Sequence, residues 1–267
     1  MLGRLIKHEF KATWRVPVAL DAVLIALGIL AHFMIRTIPY VKDSIGFIIL
    51  MLLFVGIYYI GIIAANIVTL IFIVMRYYRN LYTSEGYLTF TLPVTTNSII
   101  NAKVISGFTW TLLSVISTGI SIIITLTGFL GIADIEYGEL YELASDFLSI
   151  FDAGPSLIFS VIFLGIVSSL YNVLSLYFSV TVGQLWEKHK ILGAVLCYIG
   201  IYILNVIIGQ AGMFLSGFYM AMESDLDNAF ASLYTGMLNR TALISALLSI
   251  VFYTACIMIT KRKINLD

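Results

Sequence analysis

The chain has 267 residues, of which 60% are hydrophobic and 11% charged, with a mean hydropathy of +1.01. A soluble domain is roughly 45–50% apolar and about 25% charged, so no single water-facing core buries this much apolar surface and lipid must cover the excess. Lys and Arg balance Asp and Glu at 15 each, and no basic tract or zinc-type Cys/His spacing points to a nucleic acid. Cys197 and Cys256 lie inside apolar runs, where they read as small core residues and not as a disulfide.

Residues 1–15 read as an amphipathic helix on a membrane surface. Leu2, Leu5, Ile6, Phe10, Thr13 and Trp14 recur at helical spacing, and Arg4, Lys7, Lys11 and Arg15 offer cations to anionic headgroups. Residues 16–267 then form a transmembrane domain. A helix needs about 20 mainly apolar residues to cross the hydrocarbon, and six segments qualify, near 16–36, 44–76, 100–132, 155–186, 190–220 and 241–261. The expected fold class is therefore an all-α membrane protein with six transmembrane helices. Pro17, Pro39, Pro93 and Pro155 all fall near proposed helix ends, where a missing N–H costs least. Pro17 and Asp21 interrupt the first span and no small-x-small site follows it, so it reads as a retained span and not a cleaved leader. Asp21 is the one formal charge in that span; it reads as bending towards headgroups or pairing with Arg15, with a role in a transport pathway as the alternative.

The first connection, Arg36–Asp43, is too short to fold by itself. The connection after the second span is the most informative polar-facing segment. Arg76 and Arg79 close the span, and Thr83 or Ser84 is placed to cap a short helix with Glu85 near its positive end. Tyr87, Leu88, Phe90 and Leu92 supply apolar contact groups, Pro93 stops the helix, and Thr95, Thr96 and Asn97 offer caps for the next one. Such a helix is either a docking surface or a plain connector. After the third span, Leu140, Leu143, Ala144, Phe147 and Phe151 form a stripe beside Glu139, Glu142 and Asp146, read as a short helix with a solvated acidic face. Glu187–Lys190 is a short charged turn, and Leu226, Phe230, Leu233, Tyr234 and Met237 make a further stripe before the last span, expected as an interfacial or re-entrant helix. Within the spans, Asn66, Asn172, Asn205 and Gln210 are expected to bridge helices by hydrogen bonds, and Gly209, Gly212 and Ser216 to permit close packing.

Orientation follows from the Lys/Arg bias. With the N-terminus inside, Arg36, Lys42 and Arg240 are the only basic residues outside, each beside a boundary. Both termini are thus expected in the cytoplasm of a multi-pass plasma-membrane protein. The chain contains no G-x-x-x-x-G-K-[ST] loop, no H-E-x-x-H and no G-x-S-x-G, so no catalytic function or cofactor is expected in it.

Three stretches carry a resemblance: LIKHEFKATWR at residues 5–15, RNLYTSEGYLTFTLPVTTNSIINAK at 79–103, and GQLWEKHKILGA at 183–194. With six spans and this orientation, the chain resembles the integral permease subunits of type-2 ABC exporters, closest to those of Gram-positive drug, peptide and lantibiotic exporters. The resemblance implies an elbow helix carrying Arg4, Lys7, Trp14 and Arg15. It implies a coupling helix with Ser84, Glu85, Gly86, Tyr87, Leu88 and Phe90, and a smaller contact at Lys188 and His189. It also implies a re-entrant element before the last span. The implied partners are membrane lipid, a second permease subunit (a copy or a paralogue) and a separate ABC ATPase subunit that holds ATP and Mg. The implied function is export of a hydrophobic or amphipathic substrate, whether peptide, drug or lipid. The alternative is an ATP-independent channel or secondary transporter, which predicts internal repeats with Gly/Pro-broken spans.

Overall fold

The structure is a computed structural model that describes residues 2–38, 45–91, 93–130, 154–186, 188–222 and 226–262. Among these residues every regular element is an α-helix: α1 Leu2–Thr13, α2 Arg15–Arg36, α3 Ile45–Tyr82, α4 Ser84–Thr91, α5 Thr96–Leu130, α6 Gly154–Gly183, α7 Lys190–Met222 and α8 Leu226–Arg262. Six of them (α2, α3, α5, α6, α7 and α8) are long and apolar enough to cross a membrane. The protein is an all-α membrane protein.

The helices begin and end where local chemistry favours it. Trp14 forms the turn between α1 and α2, and Pro17 sits in the first turn of α2, where its missing N–H has no intrahelical acceptor to lose. Thr95 caps α5: its hydroxyl accepts the Ser98 N–H at 3.4 Å and lies 2.9 Å from the Ser98 hydroxyl. The 38 residues of α3 span about 57 Å at 1.5 Å per residue, against a hydrocarbon core of about 30 Å. Its Tyr82 end therefore extends well past a span ending near residue 76.

Two compact units divide the chain. One comprises Phe10–Phe72 and Thr109–Asp146; the other comprises Met1–Glu9, Ile73–Phe108 and Phe147–Asp267. In the first, α2 meets α5 through small residues. A Cβ on Gly28 would collide with Ser121, and one on Gly128 would meet the His32 backbone oxygen at 2.9 Å. That close approach lets polar side chains bridge the helices in place of water. Ser121 donates to the Leu24 carbonyl at 2.8 Å and lies 2.9 Å from the Tyr58 hydroxyl, while Asn66 donates to Thr118 at 3.0 Å. Trp110 donates to Thr13 at 2.9 Å and packs its ring against Phe10. In the second unit α8 packs mainly on α6, which also packs on α7.

Several expectations change. Asp21 does not reach towards headgroups or Arg15. It is buried against Ser114 and Ser117 of α5, with Oδ1 lacking a partner, because its position on α2 turns it towards the neighbouring helix. Asn66 bridges helices as expected, as does Asn205, whose Oδ1 accepts from Tyr171 at 2.8 Å. Asn172 and Gln210 are exposed instead. Gly209 and Gly212 have open space where a Cβ would go, so neither marks a tight helix contact among the described residues. The stripe before the last span is no separate or re-entrant element: α8 runs unbroken from Leu226 to Arg262, with no proline and a single glycine, Gly236, to interrupt it. The acidic segment around Glu139–Phe151 lies outside the described residues, as does most of the first connection.

Candidate functional site

Residues 84–90, Lys188 and His189 lie within the second unit, whereas the expected elbow helix is divided, with Arg4 and Lys7 in the second unit and Trp14 and Arg15 in the first. Thr83 breaks the chain between α3 and α4. Its hydroxyl donates to the Arg79 carbonyl at 2.6 Å, so it closes α3 and leaves α4 without a side-chain cap from this residue. The Gly86 N–H donates to the Thr83 carbonyl at 2.7 Å, folding α4 directly onto the turn. Glu85 accepts from Arg79 and from Asn80, each at 3.3 Å, and so ties the first turn of α4 back to α3. Gly86 is buried, whereas Ser84 and Glu85 are exposed and Tyr87 shows 64% of its surface. The backbone places Leu88 and Phe90 in α4, but their side chains, like Leu92, lie outside the description. Lys188 and His189 are exposed in the α6–α7 turn. That turn is tight: a Cβ on Gly183 would sit 2.6 Å from the Lys190 oxygen and the Ala194 nitrogen.

Two groups that sequence reading missed anchor this end. The first is an ion cluster: Glu9 of α1 accepts from Lys103 of α5 at 2.8 Å and from Arg76 of α3 at 3.0 Å. Lys103 keeps only 4% of its side chain exposed, so this is a buried pair that ties three helices together. Burial pushes the Glu9 carboxyl up, but Lys103 and then Arg76 more than offset that, and its pKa lies below the ordinary 4.5. Arg4, Lys7, Lys11, Trp14 and Arg15 are all exposed. Glu9 was visible only as the lone acid in a basic stretch.

The second is an aromatic–hydroxyl cluster. Tyr77 of α3 stacks on Tyr177 of α6, with centroids 3.9 Å apart and planes 10° from parallel. The Tyr77 hydroxyl lies 3.0 Å from Thr181 Oγ1. Tyr82, two residues before α4, donates to the same Thr181 oxygen at 3.1 Å and lies 3.2 Å from Thr260 Oγ1 of α8. Leu81, Thr181 and Thr260 are almost fully buried. Gly107 permits this packing, because a side chain there would strike the Tyr177 hydroxyl and Ile73. The segment leading into α4 is therefore bonded directly to α6 and α8. The arrangement is thus an exposed short helix bonded through its flanking residues to the ends of long ones.

Elsewhere in this unit α6, α7 and α8 enclose a cavity of about 520 Å³ bordered by Tyr171, Asn205 and Arg240. No family model, curated protein or solved structure matches the chain.

Proposed function

We propose that this chain is the membrane permease subunit of an ATP-driven exporter of the type-2 ABC class, working with a separate ATPase subunit and a second permease subunit. The observation that carries the reading is the mounting of α4. It presents Glu85 and Tyr87 outwards, while Tyr82 beside it holds α6 and α8 through Thr181 and Thr260. Such a helix has the form required to pass a push from a docked protein into long helices. The Lys/Arg bias supports placing this end in the cytoplasm, where an ATPase would be. In this reading ATP binding closes the ATPase pair and shifts α4, and the long helices open the pathway outward; hydrolysis resets them. The substrate is hydrophobic or amphipathic, and plasma-membrane export is its direction.

The test is copurification of the ATPase from membranes, followed by hydrolysis rates after reconstitution. Tyr87→Ala removes an exposed aromatic anchor, a loss commonly worth about 2 kcal/mol or more at an interface, and Glu85→Arg reverses the neighbouring charge. Both variants are expected to insert normally and to lose the ATPase. Tyr82→Phe keeps the ring but deletes both hydroxyl bonds, so it is expected to retain the ATPase while losing substrate-stimulated hydrolysis. Full coupling in all three variants would reduce α4 to a connector.

A further inference from the structure

At the same end of the second unit, α3, α6 and α7 leave an apolar cleft of about 460 Å³. Its walls include Val74 and Tyr78 of α3, Leu176 and Val180 of α6, and Ala194 and Tyr198 of α7. Arg79, in the last turn of α3, and Lys190, the first residue of α7, line it as well. A second depression of about 620 Å³ adjoins the first, sharing Tyr78, Lys190, Ile191 and Val195 with it, and it is bordered by Lys188 and His189. The combined space thus has an apolar floor and a basic rim. From Lys190 to Tyr198 the floor runs about 12 Å along α7 at 1.5 Å per residue, close to the half-thickness of about 15 Å of a hydrocarbon core. Ile191, Leu192 and Val195 are all more than half exposed, so the floor opens to the surroundings of the helix bundle.

We propose that this cleft binds an anionic phospholipid, with an acyl chain along the apolar floor and the phosphate among Arg79, Lys188 and Lys190. Basic pockets between transmembrane helices at a cytoplasmic boundary suit such headgroups, and the assignment to the inner leaflet rests on the orientation given above. The headgroup also reaches α4. Arg79 bonds Glu85 at 3.3 Å while keeping 65% of its side chain exposed, so a phosphate oxygen competes with Glu85 for the same guanidinium. Bound lipid therefore changes how the first turn of α4 is held, leaving Asn80 as its remaining tie to Glu85.

The test uses the full chain purified in detergent, titrated with phosphatidylglycerol or with phosphatidylcholine of identical acyl chains, and bound lipid counted by native mass spectrometry. Phosphatidylglycerol is expected to bind several-fold more tightly. In the double variant Lys188→Gln, Lys190→Gln its affinity falls by up to about thirtyfold, since each lysine contributes about fivefold, with phosphatidylcholine unchanged. Val195→Trp, which fills the floor, lowers retention of both lipids. Equal affinity for the two lipids overturns the proposal, as does an unchanged phosphatidylglycerol titration in the double variant. Displacement by equimolar inorganic phosphate overturns it too, by making the rim a free-anion site. Loss of copurified ATPase in the double variant with lipid binding intact assigns the lysines to protein docking, and also overturns it. Lipid counting needs no ATPase, so failure of the exporter reading leaves this result standing.

Discussion

At the scale of single residues, burial decides which charges matter. Glu9 keeps 19% of its side chain exposed but is the acid that neutralises Lys103, which is nearly sealed off. Glu9→Gln strands that ammonium, and losing one partner of a buried pair costs about 3–5 kcal/mol. The partial exposure of Glu9 places the expected loss at the lower end, read as a fall in the unfolding temperature of purified protein. The same bond gives a pH dependence with a definite sign. Because the folded carboxyl titrates below 4.5, its stabilisation is fully present above that value and is lost as pH falls through the lower, folded pKa. Unfolding scans between pH 3 and 7 should show this acid-side loss in the wild type and a flatter profile in Glu9→Gln. Asp21 is the converse case. Its Oδ1 is buried without a partner, so Asp21→Asn is expected to keep insertion and to hold or raise thermal stability by about 1 kcal/mol, since an amide beside Ser114 and Ser117 removes the expensive charge. Loss of transport with normal insertion would instead give the acid a place in the pathway.

At the scale of elements, the turn between α6 and α7 and the mounting of α4 depend on close backbone approach. Gly183→Ala would push a methyl group into the Lys190 carbonyl and the Ala194 nitrogen, both backbone atoms that cannot rotate away. The turn must open. We expect a destabilisation of about 1–3 kcal/mol, the usual cost of overpacking, together with faster proteolysis between Gln184 and Lys190. Gly3→Ala, at a position with open space around it, is the control expected to change neither. The existence of α4 was readable because Pro93 and the Ser84–Glu85 pair bracket eight residues. Its attachment was not readable, since Tyr82, Thr181 and Thr260 lie 99 and 178 residues apart along the chain.

At the scale of the whole molecule, the prediction concerns sidedness. In a Cys197→Ala, Cys256→Ala background, Ser84→Cys is expected to react with a membrane-impermeant thiol reagent only after cells are permeabilised. Asp225→Cys is expected to react in intact cells. Labelling of the first variant from outside would reverse the orientation drawn from Lys/Arg bias, and with it the side on which an ATPase and the lipid cleft would lie.

Periodicity and hydropathy were enough to establish an all-helical membrane chain, six spans and the approximate limits of most of them, because lipid forces long uninterrupted apolar helices whatever their neighbours. The α1 helix was legible for a related reason: its basic residues share one face. Pairings between helices were decided only by the tertiary structure. Hydropathy treats Asn66, Asn172, Asn205 and Gln210 alike, yet rotation about each helix axis brings Asn66 and the exposed Asn205 within hydrogen-bond reach of a neighbouring helix and leaves Asn172 and Gln210 exposed without such a bridge among the described residues. The same rotation buries Asp21, directs Glu9 to Lys103, and stacks Tyr77 on Tyr177. An apolar helix offers side chains of similar hydrophobicity on every face, so its sequence does not encode its own rotation; contact with particular neighbours does.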